Sequence, residues 1–195
     1  EDNMKNDVLA HEASLKLANA NFYKKDFDWT LQQVKVLKQS SSLLIANDAV
    51  ELFLLIQDNS VEDSLRVALQ AYAKADLQLY QKKNEEALQS FLTILEKHKG
   101  ESIEDETLLK IADIYYQKKD YLKALSYYQN ILDNHKEGIY IDEALFFSAE
   151  IYRKHLLDNE KAKPLYEKMV LEHPDSLYYT ESRKQYRTLR GDTTI

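Results

Sequence analysis

The sequence contains no cysteine, and only three glycines and two prolines occur among its 195 residues. The absence of cysteine excludes disulfides, thiolate zinc sites and cysteine nucleophiles, and it is compatible with oxidising and reducing compartments alike. Glycine and proline are the residues that interrupt helices most strongly. Their scarcity, together with 44% hydrophobic and 30% charged residues, predicts a largely helical protein.

Long apolar runs are missing as well. The longest, from Leu52 to Ile56, is far short of the roughly 20 residues that a membrane span needs, so we expect no membrane insertion. The net charge of −7, with both signs interspersed, opposes binding to nucleic-acid phosphates or anionic lipid. No signal-peptide pattern follows Glu1, and we expect the chain to be a fragment of a longer one.

No catalytic constellation is found. The three glycines, Gly100, Gly138 and Gly191, are isolated and match no phosphate-binding loop. The carboxylate pairs Glu85-Glu86 and Glu104-Asp105 lie at predicted helix starts, where acidic side chains stabilise the helix dipole. We therefore predict that the protein is not an enzyme and that it needs no cofactor.

Three segments can be superimposed on one another. Their small residues, Ala87, Ala124 and Ala162, lie 37 and 38 residues apart. Each is followed after four residues by an aromatic and after seven by a large aliphatic side chain: Phe91 and Ile94, Tyr128 and Ile131, Tyr166 and Met169. Such a stripe is typical of an amphipathic helix, and each segment is predicted to be the second helix of a pair.

The preceding segments are predicted to be the first helices of these pairs. They carry a small residue three positions before an aromatic one, as in Ala112 with Tyr115 and Ala149 with Tyr152, which favours close helix packing. Similar turns follow them, because cations suit a helix C-terminus and Asp or Asn suits the next N-cap. These turns are Lys24-Lys25-Asp26, Lys82-Lys83-Asn84 and Lys118-Lys119-Asp120.

This succession resembles the tetratricopeptide repeat, whose usual period is about 34 residues. The resemblance is clearest over residues 70 to 175, and Pro174 lies where the family places a proline between repeats. The run His173-Pro174-Asp175-Ser176, followed by a helical tail, is similar to bacterial envelope members of the Tol–Pal and outer-membrane assembly systems. The resemblance implies an all-α, right-handed superhelix of antiparallel helix pairs, about ten helices in all, that binds a protein in a bacterial periplasm or envelope.

We predict a single helical array over residues 1–195. Its parts are a weak repeat at about 6–39, an irregular pair or insertion at 43–81, clear repeats at about 62–98, 103–135 and 140–173, and a capping helix at about 177–189. Either 61–81 is one long helix serving two layers, or the 43–58 helix is an unpaired insertion. Pro164 predicts a late start or a kink in its helix, and the side chains of Leu177, Tyr186 and Leu189 are expected to point inward from the capping helix.

If Ala112 and Ala149 mark buried faces, neighbouring side chains turn toward the inner side of the array, which solenoids present to partners. We call these residues the inner strip: Leu109, Asp113, Tyr116, Phe146, Phe147, Glu150 and Arg153, extended by Tyr72, Asp76 and Tyr80. Aromatic and arginine side chains are the usual anchors of binding surfaces. The alternative is that long helices bury these rings against the opposite wall. Trp29 is interpreted as a packing residue.

Three histidines recur with the repeat, since His98, His135 and His173 each lie eleven residues after a repeat alanine. Equivalent points on stacked helices are roughly 8–10 Å apart, whereas metal ligands lie about 2 Å from one ion. We therefore expect no metal site and interpret these histidines as helix C-terminal residues.

The predicted function is a scaffold that binds a protein or peptide partner along the inner strip. One alternative is a structural spacer or oligomerisation module of a larger polypeptide, and another is a regulatory module attached to an upstream effector domain. The first helix carries Val8, Leu9, Leu15 and Leu17 on more than one side. Because an end helix needs only one apolar face, self-association through this helix is a further expectation.

Overall fold

The computed structural model describes residues 2–61, 65–136 and 138–192, with side chains from residue 8 onward. Within these ranges the protein consists of ten α-helices and contains no β-strand. None of the helices in the described part is both long and apolar enough to cross a lipid bilayer. The predicted all-α fold of paired helices is confirmed.

The helices follow one another with short connections. Their bounds are α1 Asp2–Tyr23, α2 Phe27–Leu37, α3 Leu43–Asp58, α4 Val67–Tyr80, α5 Asn84–Lys97, α6 Glu104–Gln117, α7 Tyr121–Asn134, α8 Ile141–Glu150, α9 Asn159–Glu172 and α10 Tyr179–Arg190. A π-helical turn, Ile151–His155, continues α8. The chain divides into two compact units, Glu1–Glu104 and Asp105–Ile195, which we call the N-terminal unit and the C-terminal unit.

In the N-terminal unit α1 packs on α2, α2 packs on α3, and α4 packs on α5, while α1 also contacts α3 and α4. The helix α4 has 14 residues, the same length as α5. The segment from 61 to 81 is therefore not one long helix. The helix α3 contacts both α1 and α2.

In the C-terminal unit α7 packs on α8, α8 on α9, and α9 on α10. The first pair, α6 with α7, is joined by stacked rings of Tyr115 and Tyr127, whose centroids lie 5.7 Å apart. The repeat alanines Ala124 and Ala162 are fully buried, as a close contact between paired helices requires. Tyr186 and Leu189 of α10 pack on the core of α8 and α9, whereas Leu177 is 78% exposed, so its expected inward position is wrong.

The turns within the helix pairs share one backbone conformation. Lys25, Lys82, Lys119 and Leu157 all have positive φ angles, between 54° and 67°. In each turn an amide then donates back into the finished helix, as from Asp120 to the Tyr115 carbonyl at 2.9 Å and from Asp158 to the Tyr152 carbonyl at 2.8 Å. A left-handed residue after a helix is the usual way to terminate it, although here no glycine occupies the position.

The spacing of 37 residues becomes 38 because α8 carries one additional residue before its turn. Ala112 precedes the left-handed Lys119 by seven positions, and Ala149 precedes the left-handed Leu157 by eight. The helix absorbs this residue as the π-helical turn, in which the Leu156 amide donates to the Ile151 carbonyl at 3.0 Å. Such one-turn π-bulges are rare and often mark functional positions.

The expectation for Trp29 is wrong, and so is one of the two alternatives given for Pro164. Trp29 is 54% exposed, because the buried stripe of α2 is formed by Phe27, Thr30, Val34 and Leu37, and a residue two positions from Phe27 points away from it. The late start expected from Pro164 does not occur. The helix α9 begins at Asn159, where the Asp158 side chain accepts a hydrogen bond from the Lys161 amide at 3.1 Å, and Pro164 lies inside the helix.

Candidate partner-binding site

The part of the inner strip in the C-terminal unit contains a cluster of aromatic rings. Phe147 lies at its centre, with ring centroids 5.5 Å from Phe146, 5.9 Å from Tyr116, 6.1 Å from Tyr128 and 5.8 Å from Tyr178. Tyr128 is buried, and the other four rings are half-buried. The buried ring of Tyr128 thus forms the packed base of the cluster, and the rings of Phe146 and Phe147 remain partly exposed to solvent.

Two stacked pairs extend the cluster at its ends. Tyr178 stacks on Phe146 with centroids 4.5 Å apart. Tyr121, the first residue of α7, stacks on His155 of the π-helical turn at 4.0 Å, and the Tyr116 hydroxyl lies 3.5 Å from the Nε2 of His155. The rings are therefore held by contacts among α6, α7, α8 and the segment before α10.

A carboxylate recurs on the first helix of each clear repeat. Asp76, Asp113 and Glu150 are spaced by 37 residues, and each accepts a hydrogen bond from a tyrosine hydroxyl. Tyr128 donates to Asp113 at 2.7 Å, Tyr166 donates to Glu150, and Tyr23 donates to Asp76 at 3.1 Å. Tyr128 and Tyr166 are the repeat aromatics of α7 and α9; the equivalent residue Phe91 has no hydroxyl, and α1 supplies Tyr23 instead.

The carboxylates of the C-terminal unit differ in their charge balance. Glu150 is buried and forms ion pairs with Lys154 and with Arg153, whose Nη2 lies 3.0 Å away. The Arg153 Nε also donates to the Tyr166 hydroxyl at 3.1 Å. Among the described residues Asp113 forms no ion pair, and the only hydrogen bond to its side chain comes from Tyr128.

The pKa directions follow from this difference. Burial raises the pKa of Asp113, and the Tyr128 hydroxyl and the charge of Lys110 only partly oppose that effect. Burial alone would also raise the pKa of Glu150, but the hydrogen bonds from Lys154, Tyr166 and Arg153 outweigh it and lower the pKa. Asp113 is therefore an incompletely compensated carboxylate beside half-buried rings.

In the N-terminal unit the predicted residues are more scattered. Tyr72 is 2% exposed and packs edge-on against Phe91 at 5.4 Å, so its ring belongs to the core. Tyr80 is 73% exposed, and its centroid lies 5.9 Å from that of Tyr23. Leu109 of the C-terminal unit is buried like Tyr72, and we leave both out of the proposed surface.

Sequence reasoning missed several residues of the cluster. Tyr121, His155 and Tyr178 reach it from a helix start, the π-helical turn and a loop, which offsets from the repeat alanines do not sample. The one available signal was the change of spacing from 37 to 38 residues. It marks the π-helical turn that carries Arg153, Lys154 and His155.

The recurring histidines have the position that was predicted for them. His98, His135 and His173 are the C-cap residues of α5, α7 and α9. His173 Nδ1 lies 2.7 Å from Asp142 Oδ1, and His98 Nδ1 lies 3.0 Å from Glu101 Oε1. In the described part of the chain no three histidine or acidic side chains are grouped as metal ligands would be.

The family model described as "Tetratricopeptide repeat" matches residues 106–137 and 143–176. These ranges coincide with the pairs α6–α7 and α8–α9, which carry the aromatic cluster. No curated protein is significantly similar to the chain. The two matched ranges and the all-helical architecture together support a tetratricopeptide-repeat protein.

Proposed function

We propose that the protein is a non-catalytic scaffold that binds a segment of another protein on the aromatic surface of its C-terminal unit. Tetratricopeptide repeats generally mediate protein–protein interactions, and two of them carry this surface. The observation that carries the proposal is the cluster around Phe147, in which four half-buried rings surround a packed base. Aromatic rings that are fixed by packing but still accessible are typical binding anchors.

The surface also combines these rings with fixed charges. Arg153 and Lys154 pair with Glu150, and Asp113 accepts a hydrogen bond from Tyr128, whose ring lies 6.1 Å from that of Phe147. Because an extended segment presents side chains at regular intervals, a row of apolar and charged contacts suits such a segment. The setting that we propose, a bacterial envelope assembly, is supported by the resemblance of residues 173 to 176 to members of that type.

A site-specific cross-linking experiment tests the proposal. A photoreactive phenylalanine analogue at position 147 should capture a protein partner in an extract of the source cells. The matched control carries the analogue at Leu122, an exposed apolar residue of α7 that is not part of the cluster. The same partner captured equally from both positions, or from neither, would contradict the proposed surface.

Self-association is the second candidate function, and the outer side of α1 favours it. Val8, Leu9 and Leu17 are exposed, while Leu15 on the same helix is buried. An exposed apolar patch on a helix that already buries another face indicates an interaction site. We propose that a second copy of the chain binds this patch. A measurement of the molar mass in solution as a function of protein concentration tests the proposal.

A further inference from the structure

We propose that Asp113, together with the rings of Tyr116 and Phe147, forms a subsite for an arginine side chain of the partner segment. The inference rests on the proposed function and names the chemistry of one residue in the partner. It is carried by a comparison between two equivalent positions of the C-terminal unit, Asp113 and Glu150, which lie 37 residues apart.

The position of Glu150 shows what such a carboxylate accepts. Its neighbours are a tyrosine hydroxyl from the second helix of the pair and a guanidinium group from the π-helical turn. The guanidinium bonds both of them, since Arg153 Nη2 and Nε lie 3.0 Å and 3.3 Å from Glu150 Oε1, and Nε lies 3.1 Å from the Tyr166 hydroxyl. In this repeat the chain itself supplies the cation, Arg153, that pairs with the carboxylate.

The position of Asp113 has the same tyrosine but no such cation. The Tyr128 hydroxyl donates to Asp113 at 2.7 Å, just as Tyr166 donates to Glu150. At the positions equivalent to Arg153 and Lys154, α6 carries Tyr116 and Gln117. Of the described charged groups, Lys110 acts on Asp113 through its charge alone. The Asp113 side chain therefore has no ion-pair partner among the described residues.

The surroundings suit a guanidinium group better than an ammonium group. Half-buried rings of Tyr116 and Phe147, 5.9 Å apart and inclined at 62°, offer faces on which a planar cation can stack. A guanidinium can stack and donate hydrogen bonds in its plane at the same time, whereas an ammonium is a strongly hydrated point charge. The overall charge of −7 further favours a basic partner segment.

The test uses short synthetic peptides as probes, because the partner is not identified. Three capped peptides of sequence Gly-Ser-X-Ser-Gly carry arginine, lysine or citrulline at X; citrulline has the shape of arginine without its charge. Binding is followed by NMR titration of the 195-residue chain. We expect the arginine peptide to bind most tightly, the citrulline peptide at least about tenfold more weakly, and the shifts to centre on Asp113, Tyr116 and Phe147.

Two variants complete the test. Asp113→Asn removes the charge but keeps an oxygen that can accept from Tyr128, and it should weaken arginine binding about tenfold or more. Asp133→Asn makes the same change at an exposed residue of α7 and should leave binding unaltered. The citrulline comparison uses the unmodified chain, so it decides the question even if Asp113→Asn folds poorly.

Several results would overturn the inference. They are equal binding of the arginine and citrulline peptides, unchanged binding by Asp113→Asn, or no binding of the arginine peptide to the unmodified chain at millimolar concentration. Cross-linking from position 147 that persists in Asp113→Asn would then leave the proposed function standing without the arginine subsite. If the chain that carries the analogue at position 147 and keeps Asp113 captures no partner, the proposed function itself is contradicted.

Discussion

The two matched repeats, α6–α7 and α8–α9, share a plan and differ in one residue of length. Both bury a repeat alanine, Ala124 or Ala162, and both direct a tyrosine hydroxyl to a carboxylate. In the second repeat the residues three and four positions after the carboxylate are Arg153 and Lys154, which form ion pairs with it, whereas the first repeat has Tyr116 and Gln117 at these positions. The two carboxylates therefore differ in charge balance through the identity of two side chains, while the buried alanine contacts of the helix pairs are kept.

Substitutions of the buried alanines that both repeats share should have the largest effects on stability. Ala124→Leu and Ala162→Leu each place a large side chain at a fully buried contact between paired helices. We expect each to lower the free energy of unfolding by about 1–3 kcal/mol through overpacking, measured by urea denaturation. Lys123→Leu, beside Ala124 on the outer face, is the control and should change little. Equal losses for Ala124→Leu and Lys123→Leu would show that the assumed helix register is wrong.

The two carboxylates should respond differently to neutralisation. Glu150→Gln leaves Arg153 and Lys154 without their shared anion, and we expect it to cost about 1–3 kcal/mol, limited by the partial exposure of both cations. Asp113→Asn removes an uncompensated charge and should leave the free energy of unfolding within about 0.5 kcal/mol of the unmodified value, or raise it. If the two changes cost the same, the proposed difference in charge balance is contradicted.

The helices of the two repeats could largely be predicted from the sequence, because they depend on local periodicity. The stripes that begin at Ala124 and Ala162 predicted α7 and α9, and the three histidines were correctly placed at helix C-termini. Trp29 was interpreted as a packing residue, but the helical period places it away from the buried stripe of α2, so hydrophobicity alone did not give its orientation.

The remaining parts depend on contacts between residues that are distant in sequence. Tyr178 stacks on Phe146 across 32 positions, and no local pattern predicts such a pair. The insertion was visible as a longer spacing, yet spacing does not say whether a residue is absorbed in a turn or inside a helix. The backbone bonds of the π-helical turn decide that question.

Substitutions of the left-handed turn residues should have a smaller effect on stability, and they should raise it. Leu157 has a φ angle of 54° and is 79% exposed, so its side chain contributes strain and little packing. Leu157→Gly should raise the free energy of unfolding by up to about 1 kcal/mol, and Lys119→Gly should do the same in the first repeat. Leu156→Gly, at a φ angle of −99°, is the control and should not stabilise. Destabilisation by Leu157→Gly would mean that this side chain packs.

The contributions of Asp113 and Glu150 to stability should change with pH in opposite directions. Because the pKa of Asp113 is raised above its ordinary value of 3.8, the folded state loses stability relative to Asp113→Asn as the pH rises from about 4 through the folded pKa. The lowered pKa of Glu150 stabilises the fold above its ordinary value of 4.5, and this contribution is lost as the pH falls. Unfolding measured from about pH 3 to pH 7 for the unmodified chain, Asp113→Asn and Glu150→Gln should give differences of opposite slope. Parallel curves would contradict the assignment.

The outer side of α1 should affect association but hardly affect folding. Changing Val8 and Leu9 together to Lys places charges on an exposed face, so we expect the thermal midpoint to remain nearly constant while concentration-dependent light scattering disappears. An unmodified chain that stays monomeric at high concentration would contradict self-association through α1.

The most direct test of the central claim compares binding and stability in one pair of variants. Phe146 and Phe147 are changed together to Ser, and the exposed residues Leu122 and Leu171 are changed together to Ser as the matched control. Affinity is measured for the partner captured from position 147, and the free energy of unfolding is measured in parallel. We expect the phenylalanine variant to remain folded and to lose at least about tenfold in affinity, because aromatic residues are typical binding anchors. The control should retain its affinity. Full affinity in the folded phenylalanine variant would contradict the claim that this aromatic surface holds the partner.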